Sequence, residues 1–129
     1  MFGWFRKRSS SSSGPDFSSV DTRDKAHAGF RQGRLERLYL VPPEFGGPED
    51  EANVVYVPVG LAAIKARIDT GAILPMVKEG KLQRYSAEAE YQGESVVPIA
   101  IKIAASDPEQ FTSTINIWGA ALVRGKTPN

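Results

Sequence analysis

A chain of 129 residues, 41% hydrophobic and 24% charged, holds one globular domain and can bury a core. With no cysteine and a single histidine, His27, it excludes disulfides, a thiol nucleophile, a thiolate zinc site and a multi-histidine metal site within one chain. Residues 1–20 carry three basic side chains against one acidic and the remainder 13 against 14, so the domain is near neutral and lacks the basic excess of a nucleic-acid-binding domain.

Residues 1–20 read as a disordered tail, because the run Ser9 to Ser13 followed by Gly14 and Pro15 cannot bury apolar area. At its tip, Phe2, Trp4 and Phe5 stand beside Arg6, Lys7 and Arg8, a combination that could rest on an anionic membrane surface. Serines follow the basic start where a signal peptide would have an apolar stretch, and no run approaches the ~18 apolar residues of a membrane span, so the expected location is the cytoplasm.

A helix is expected over residues 21–32, with Asp21 as N-cap, Ala26 and Phe30 on its apolar face and Gly33 ending it. Residues 35–41 read as a strand stopped by Pro42 and Pro43, followed by the loop Glu44-Phe45-Gly46-Gly47-Pro48 and a short buried strand over 54–57. In the C-terminal half, Tyr85, Ala87, Ala89 and Tyr91 alternate with polar residues, and Val97, Ile99, Ile101 and Ile103 alternate around Pro98. A last strand covers 111–118, with turns at Gln92-Gly93 and Asp107-Pro108. The pattern predicts an α+β domain over 21–123, an antiparallel sheet of about four or five strands packed against one or two helices, with a flexible C-terminus over 124–129.

Residues 60–81 admit two readings. As a helix, Leu61, Ile64, Ile68 and Ala72 share one face, the alanine-rich run favours helix, and Gly80 stops it. Pro75 would cost a helix interior about 3 kcal/mol, which a break at Leu74 would avoid. As a strand, Ile64, Ala66 and Ile68 alternate and lead into Asp69-Thr70-Gly71-Ala72, which resembles the active-site turn of retropepsin-like aspartic proteases. That resemblance implies a homodimer in which two copies of Asp69 share one proton and activate a water, with Thr70 buttressing the turn and Gly71 permitting it. Ile117-Trp118-Gly119 would stand for the family's hydrophobic–hydrophobic–glycine element, and the hairpin at Gln92-Gly93 for its flap.

A wider set of strings, Leu38-Tyr39-Leu40-x-Pro42-x-Glu44-Phe45-Gly46-Gly47, Tyr56-Val57-Pro58, Glu90-Tyr91-Gln92-Gly93-x-Ser95-x-x-Pro98 and Ile115-Asn116-Ile117-Trp118, is similar to a set of small uncharacterised bacterial single-domain proteins over about residues 21–120. In size these are similar to immunity proteins, which neutralise partner toxins. Phe45 with Gly46 and Gly47 at a loop tip, and Trp118 at a strand end, are the aromatic candidates for anchoring a protein partner. The acids Glu44, Glu49, Asp50 and Glu51 lack calcium-loop spacing, and Glu88 and Glu90 share a strand face. The expected function is a non-catalytic protein-binding module without cofactor or metal; the alternative is the aspartic protease at Asp69.

Overall fold

The computed structural model describes residues 14–126. Helix α1, Arg23–Arg31, starts at Thr22, whose hydroxyl accepts from the Lys25 amide. Asp21, the expected cap, instead pairs with Lys25 at 2.8 Å across one helical turn. Gly33, in the left-handed region at φ +79°, reverses the chain after α1. Strand β1, Leu35–Tyr39, pairs antiparallel with β2, Val54–Pro58, in a register that sets Leu38 opposite Val55 and Arg37 opposite Tyr56.

The segment 61–78 is helical throughout. Helix α2, Leu61–Ile68, passes through a π-helical turn, Asp69–Ile73, into α3, Leu74–Lys78. No break occurs at Leu74, whose amide donates to the Asp69 carbonyl five residues back. Pro75 cannot donate and its ring crowds the preceding turn, and widening that turn accommodates it without ending the helix.

Strands β3, Arg84–Glu90, β4, Ala100–Ser106, and β5, Gln110–Asn116, form a second antiparallel sheet in that order. The fold is therefore α+β with five strands, but in sheets of two and three rather than one sheet of four or five. The helical rod separates β2 from β3 along the chain, and helices cover both faces of the β1–β2 ribbon. Tyr56 lies against His27 and Phe30 of α1, while Glu36, which alternation puts on the other face, accepts from the Gly60 and Ala62 amides at the start of α2. Four successive β2 residues, Val54, Val55, Tyr56 and Val57, are consequently buried, which suits a covered ribbon and not a half-exposed sheet.

The expected strand over 97–103 is displaced to 100–106, and Pro98 lies ahead of it, fully buried in the β3–β4 connection. That connection is the second organising point of the fold. Ser95, 4% exposed, donates from its hydroxyl to the Phe17 carbonyl at 2.8 Å and accepts from the Val97 amide. The Val96 amide donates to the Val20 carbonyl, and Phe17 meets Trp118 edge-on at 6.1 Å between ring centres. Residues 14–20 thus belong to the folded unit, correcting a tail drawn to residue 20. Phe17 and Val20 supply the apolar contact that the serine-rich composition before them cannot. Helix α4, Ala120–Lys126, follows β5, so residues 124–126 continue a helix where a flexible end was expected.

Phe17→Ala removes a half-buried ring from Trp118 and should lower unfolding stability by about 1–3 kcal/mol. Chemical denaturation measures this, and hydrogen exchange should show the Val96 amide losing protection in the variant.

Candidate functional site

The buried stripe of the helical rod is not the one its apolar periodicity draws. Ile64, on the expected face, is 40% exposed, whereas Lys65, Asp69 and Ile73, spaced by four residues, point inward at 2%, 3% and 0%. Lys65 Nζ forms an ion pair with Asp69 Oδ2 and donates to the Tyr85 hydroxyl at 2.9 Å. The Tyr85 hydroxyl lies 2.7 Å from Asp69 Oδ1 and 3.3 Å from the Leu40 carbonyl. Its single proton goes to the nearer and charged acceptor, Asp69. An amine, a carboxylate and a phenol from α2, the π turn and β3 are thus closed on one another.

Burial pulls the Lys65 amine below its ordinary range, and the charges of Asp69 and Glu44 oppose that shift. Burial first, and the neighbouring Asp69 second, hold the Tyr85 phenol well above its usual range. Tyr85 is therefore a phenol at neutral pH, free to donate its proton to Asp69.

The loop after β1 roofs this cluster. Phe45 stacks obliquely on Tyr85 at 4.9 Å between ring centres. Asn53 fastens the loop from beneath, accepting from the Val41 amide and donating to the carbonyls of Val41 and Pro48, each at 2.9 Å. Gly47 packs so closely that a Cβ there would fall 1.7 Å from the Val41 carbonyl oxygen, so only glycine fits. Beside the roof, a cleft of about 170 Å³ is lined by Arg37, Tyr39, Pro43, Glu44, Lys65 and Thr70. It is smaller than the usual small-molecule pocket of about 300–1,000 Å³.

The residues singled out in the sequence divide differently from expectation. Asp69 lies in a π-helical turn, not at the end of a strand, so the turn that resembled an aspartic protease is not formed. Thr70 is exposed and donates to the Ala66 carbonyl at 2.7 Å, and Gly71 is exposed with open space around it. The Ala-rich run before Asp69 forms helix, as its local propensity favours, and the helix sets Lys65 one turn before Asp69. Trp118 is 2% exposed and donates from Nε1 to the Val97 carbonyl at 3.0 Å, so it is a core residue and not a projecting anchor. Phe45 is half-buried as the roof of the cluster, Gly46 turns the chain at φ +86°, and Gly47 is a packing position. Of the acids nearby, Asp50 accepts from the Ala52 amide and Glu51 pairs with Arg23. Among the described residues no group of carboxylates or imidazoles is placed to hold a metal ion. Of the two acids sharing a face of β3, Glu88 and Glu90, Glu90 accepts from both Nη1 and Nη2 of Arg124. Phe2, Trp4, Phe5, Arg6, Lys7 and Arg8 lie outside the described residues, and no described helix is long and apolar enough to cross a membrane.

Lys65 and Tyr85 were not legible as site residues. The i,i+4 spacing of Lys65 and Asp69 is visible in the sequence, but it looks the same on a solvated face. Comparison with protein-family models, curated proteins and solved structures returns no match.

Removing one member of the buried pair strands the other charge. Lys65→Met should therefore cost about 3–5 kcal/mol, while Lys65→Met with Asp69→Leu should recover most of that loss. Denaturant unfolding of both variants checks this. Tyr85 and Lys65 also predict opposite alkaline trends. The folded state retains the Tyr85 proton that an unfolded chain releases near pH 10, so this group's contribution falls as pH rises beyond about 10. The folded state gives up the Lys65 proton more readily, so that group's contribution rises as pH approaches about 10.5. Tyr85→Phe should lower stability at neutral pH by about 1–3 kcal/mol and flatten the alkaline decline, as read from unfolding curves across that range.

Proposed function

We propose that this chain is a non-catalytic protein-binding module that engages its partner through the loop of residues 42–51. The observation that carries the reading is a loop locked from below and exposed above. Asn53, Gly47 and the Phe45–Tyr85 contact fix its backbone, while Pro43, Glu44, Gly46, Glu49 and Asp50 face solvent. A recognition loop held in one conformation loses little further entropy on binding. The buried cluster supports a binding role in a second way: its amine, carboxylate and phenol are consumed in holding helix, sheet and roof together.

The charge of the loop indicates the kind of partner. Residues 42–53 contain Glu44, Glu49, Asp50 and Glu51 and no basic residue, so the complementary surface is basic. A small module with a rigid acidic loop suits an immunity-like role, in which a basic partner protein is captured and neutralised.

The experiment is capture of partners from the source cell, followed by affinity measurement with the purified partner across salt concentrations. Glu44→Lys with Glu49→Lys should weaken binding about tenfold or more and reduce its salt dependence. Because the Glu44 charge also supports the Lys65 ammonium, Glu49→Lys alone is the variant that should weaken binding with the melting temperature unchanged. Phe45→Ala should lower both affinity and stability, since the ring supports the loop instead of projecting from it. Unchanged capture by the Glu44→Lys, Glu49→Lys protein would move the interface elsewhere.

A further inference from the structure

The two outer strands of the three-stranded sheet are built differently. β3 carries Arg84, Glu88 and Glu90 within seven residues, and Phe45 packs on its Tyr85. Such charges are the usual protection of a strand edge against pairing with another chain. β5, Gln-Phe-Thr-Ser-Thr-Ile-Asn, has no charge, no proline and no bulge in its register with β4, and among the described residues no strand pairs with its outer edge. From Gln110 to Arg124 the sequence contains no ionisable acidic or basic side chain before that arginine.

The order of residues in β5 says what fits this edge. An antiparallel two-fold pairing centred on Ser113 overlaps all seven residues. It places Phe111 opposite the partner's Ile115, Thr112 opposite the partner's Thr114 and Gln110 opposite the partner's Asn116. Pairing of β5 with β4 puts Phe111, Ser113 and Ile115 on the core face, opposite Ala105, Ile103 and Ile101, and leaves Thr112 and Thr114 on the open face. The symmetric pairing thus sets an aromatic against a β-branched side chain on one face and threonine against threonine on the other. Both are favourable cross-strand pairs, and no like charges meet. A strand that is its own complement under a two-fold axis is suited to an isologous contact.

We propose that β5 pairs with β5 of a second copy, antiparallel about Ser113, joining two three-stranded sheets into one continuous sheet. This is independent of the acidic loop, which lies by β3 at the opposite edge, so a dimer presents two such loops facing outward.

The register makes the proposal testable with two double variants that differ from each other at one position. The first is Thr112→Glu with Thr114→Glu, and the second is Thr112→Lys with Thr114→Glu. Position 114 lies opposite Lys102 of β4, so the glutamate that both variants introduce there keeps a compatible neighbour within the monomer. Across the two-fold axis the first sets glutamate against glutamate, twice, and the second sets lysine against glutamate, twice. Sedimentation velocity over a concentration series should show the wild-type chain passing from monomer to dimer. The double glutamate variant should associate about tenfold or more weakly, and the lysine–glutamate variant should recover wild-type association. In the wild type, amide protection within 110–116 should rise with protein concentration, a reading that holds even where a variant folds poorly. A wild-type chain that stays monomeric with concentration-independent exchange overturns the proposal. So does undiminished dimerisation of the double glutamate variant, or failure of the lysine–glutamate variant to recover.

Discussion

The ion pair between Lys65 and Asp69, both side chains almost wholly buried, is the constraint around which the elements of the fold meet. Each charge alone would be strongly disfavoured there, and their mutual attraction with the Tyr85 hydroxyl between them makes the arrangement tolerable. The pair lies on the face that the helical rod turns inward. With Lys65 and Asp69 turned inward, Ile73 follows them four residues on into the core, and Ile64 is left toward solvent. An apolar pair of similar volume could fill the same space, so the contribution of the charges is orientation: only one rotation of the helix lets amine, carboxylate and phenol meet.

From this cluster the consequences spread to both sheets. Tyr85 belongs to β3, the Leu40 carbonyl follows β1, and Phe45 closes over the ring from the loop beyond. The cluster thus joins the two-stranded ribbon to the three-stranded sheet, which share no strand pairing. The π turn is part of the same solution. It absorbs Pro75 while keeping the rod continuous, so that Asp69 and Ile73 stay in line with Lys65. A second point, around Ser95, Phe17 and Trp118, does at the other end what Tyr85 does here: a buried hydroxyl and an aromatic ring tie a segment without regular structure to the sheet.

This division of labour explains why residues that looked like binding anchors are structural. Trp118 and Phe45 each occupy one of the two joining points, where a large ring fills space between elements that do not pair as strands. For the binding role we propose, this leaves the polar upper side of the loop that Phe45 supports. The binding reading therefore rests on the rigidity of the loop and its acidic side chains, and the hydrophobic anchor first suggested by its sequence serves as its support.

The sequence by itself determined the element types over most of the chain: the helix after residue 21, the strands near 35, 54, 85 and 111, and the turn at Asp107-Pro108. It did so because period-2 alternation, capping residues and prolines act over a few residues and need no partner. It also favoured helix over strand before Asp69, since alanine and lysine carry that preference locally. Other features required the tertiary structure. Strands within one pattern can belong to one sheet or two, and the choice depends on helices packing over Val54 to Val57. Residues 97–99 alternate as a strand does, yet Ser95 and the buried Pro98 hold them outside the ladder. The spacing of Lys65 and Asp69 looks the same on a solvated face, and only the arrival of Tyr85, Leu40 and Phe45 from distant segments buries them. Burial is a property of what packs against a residue, and for a charged pair it reverses the inference that local hydrophobicity supports.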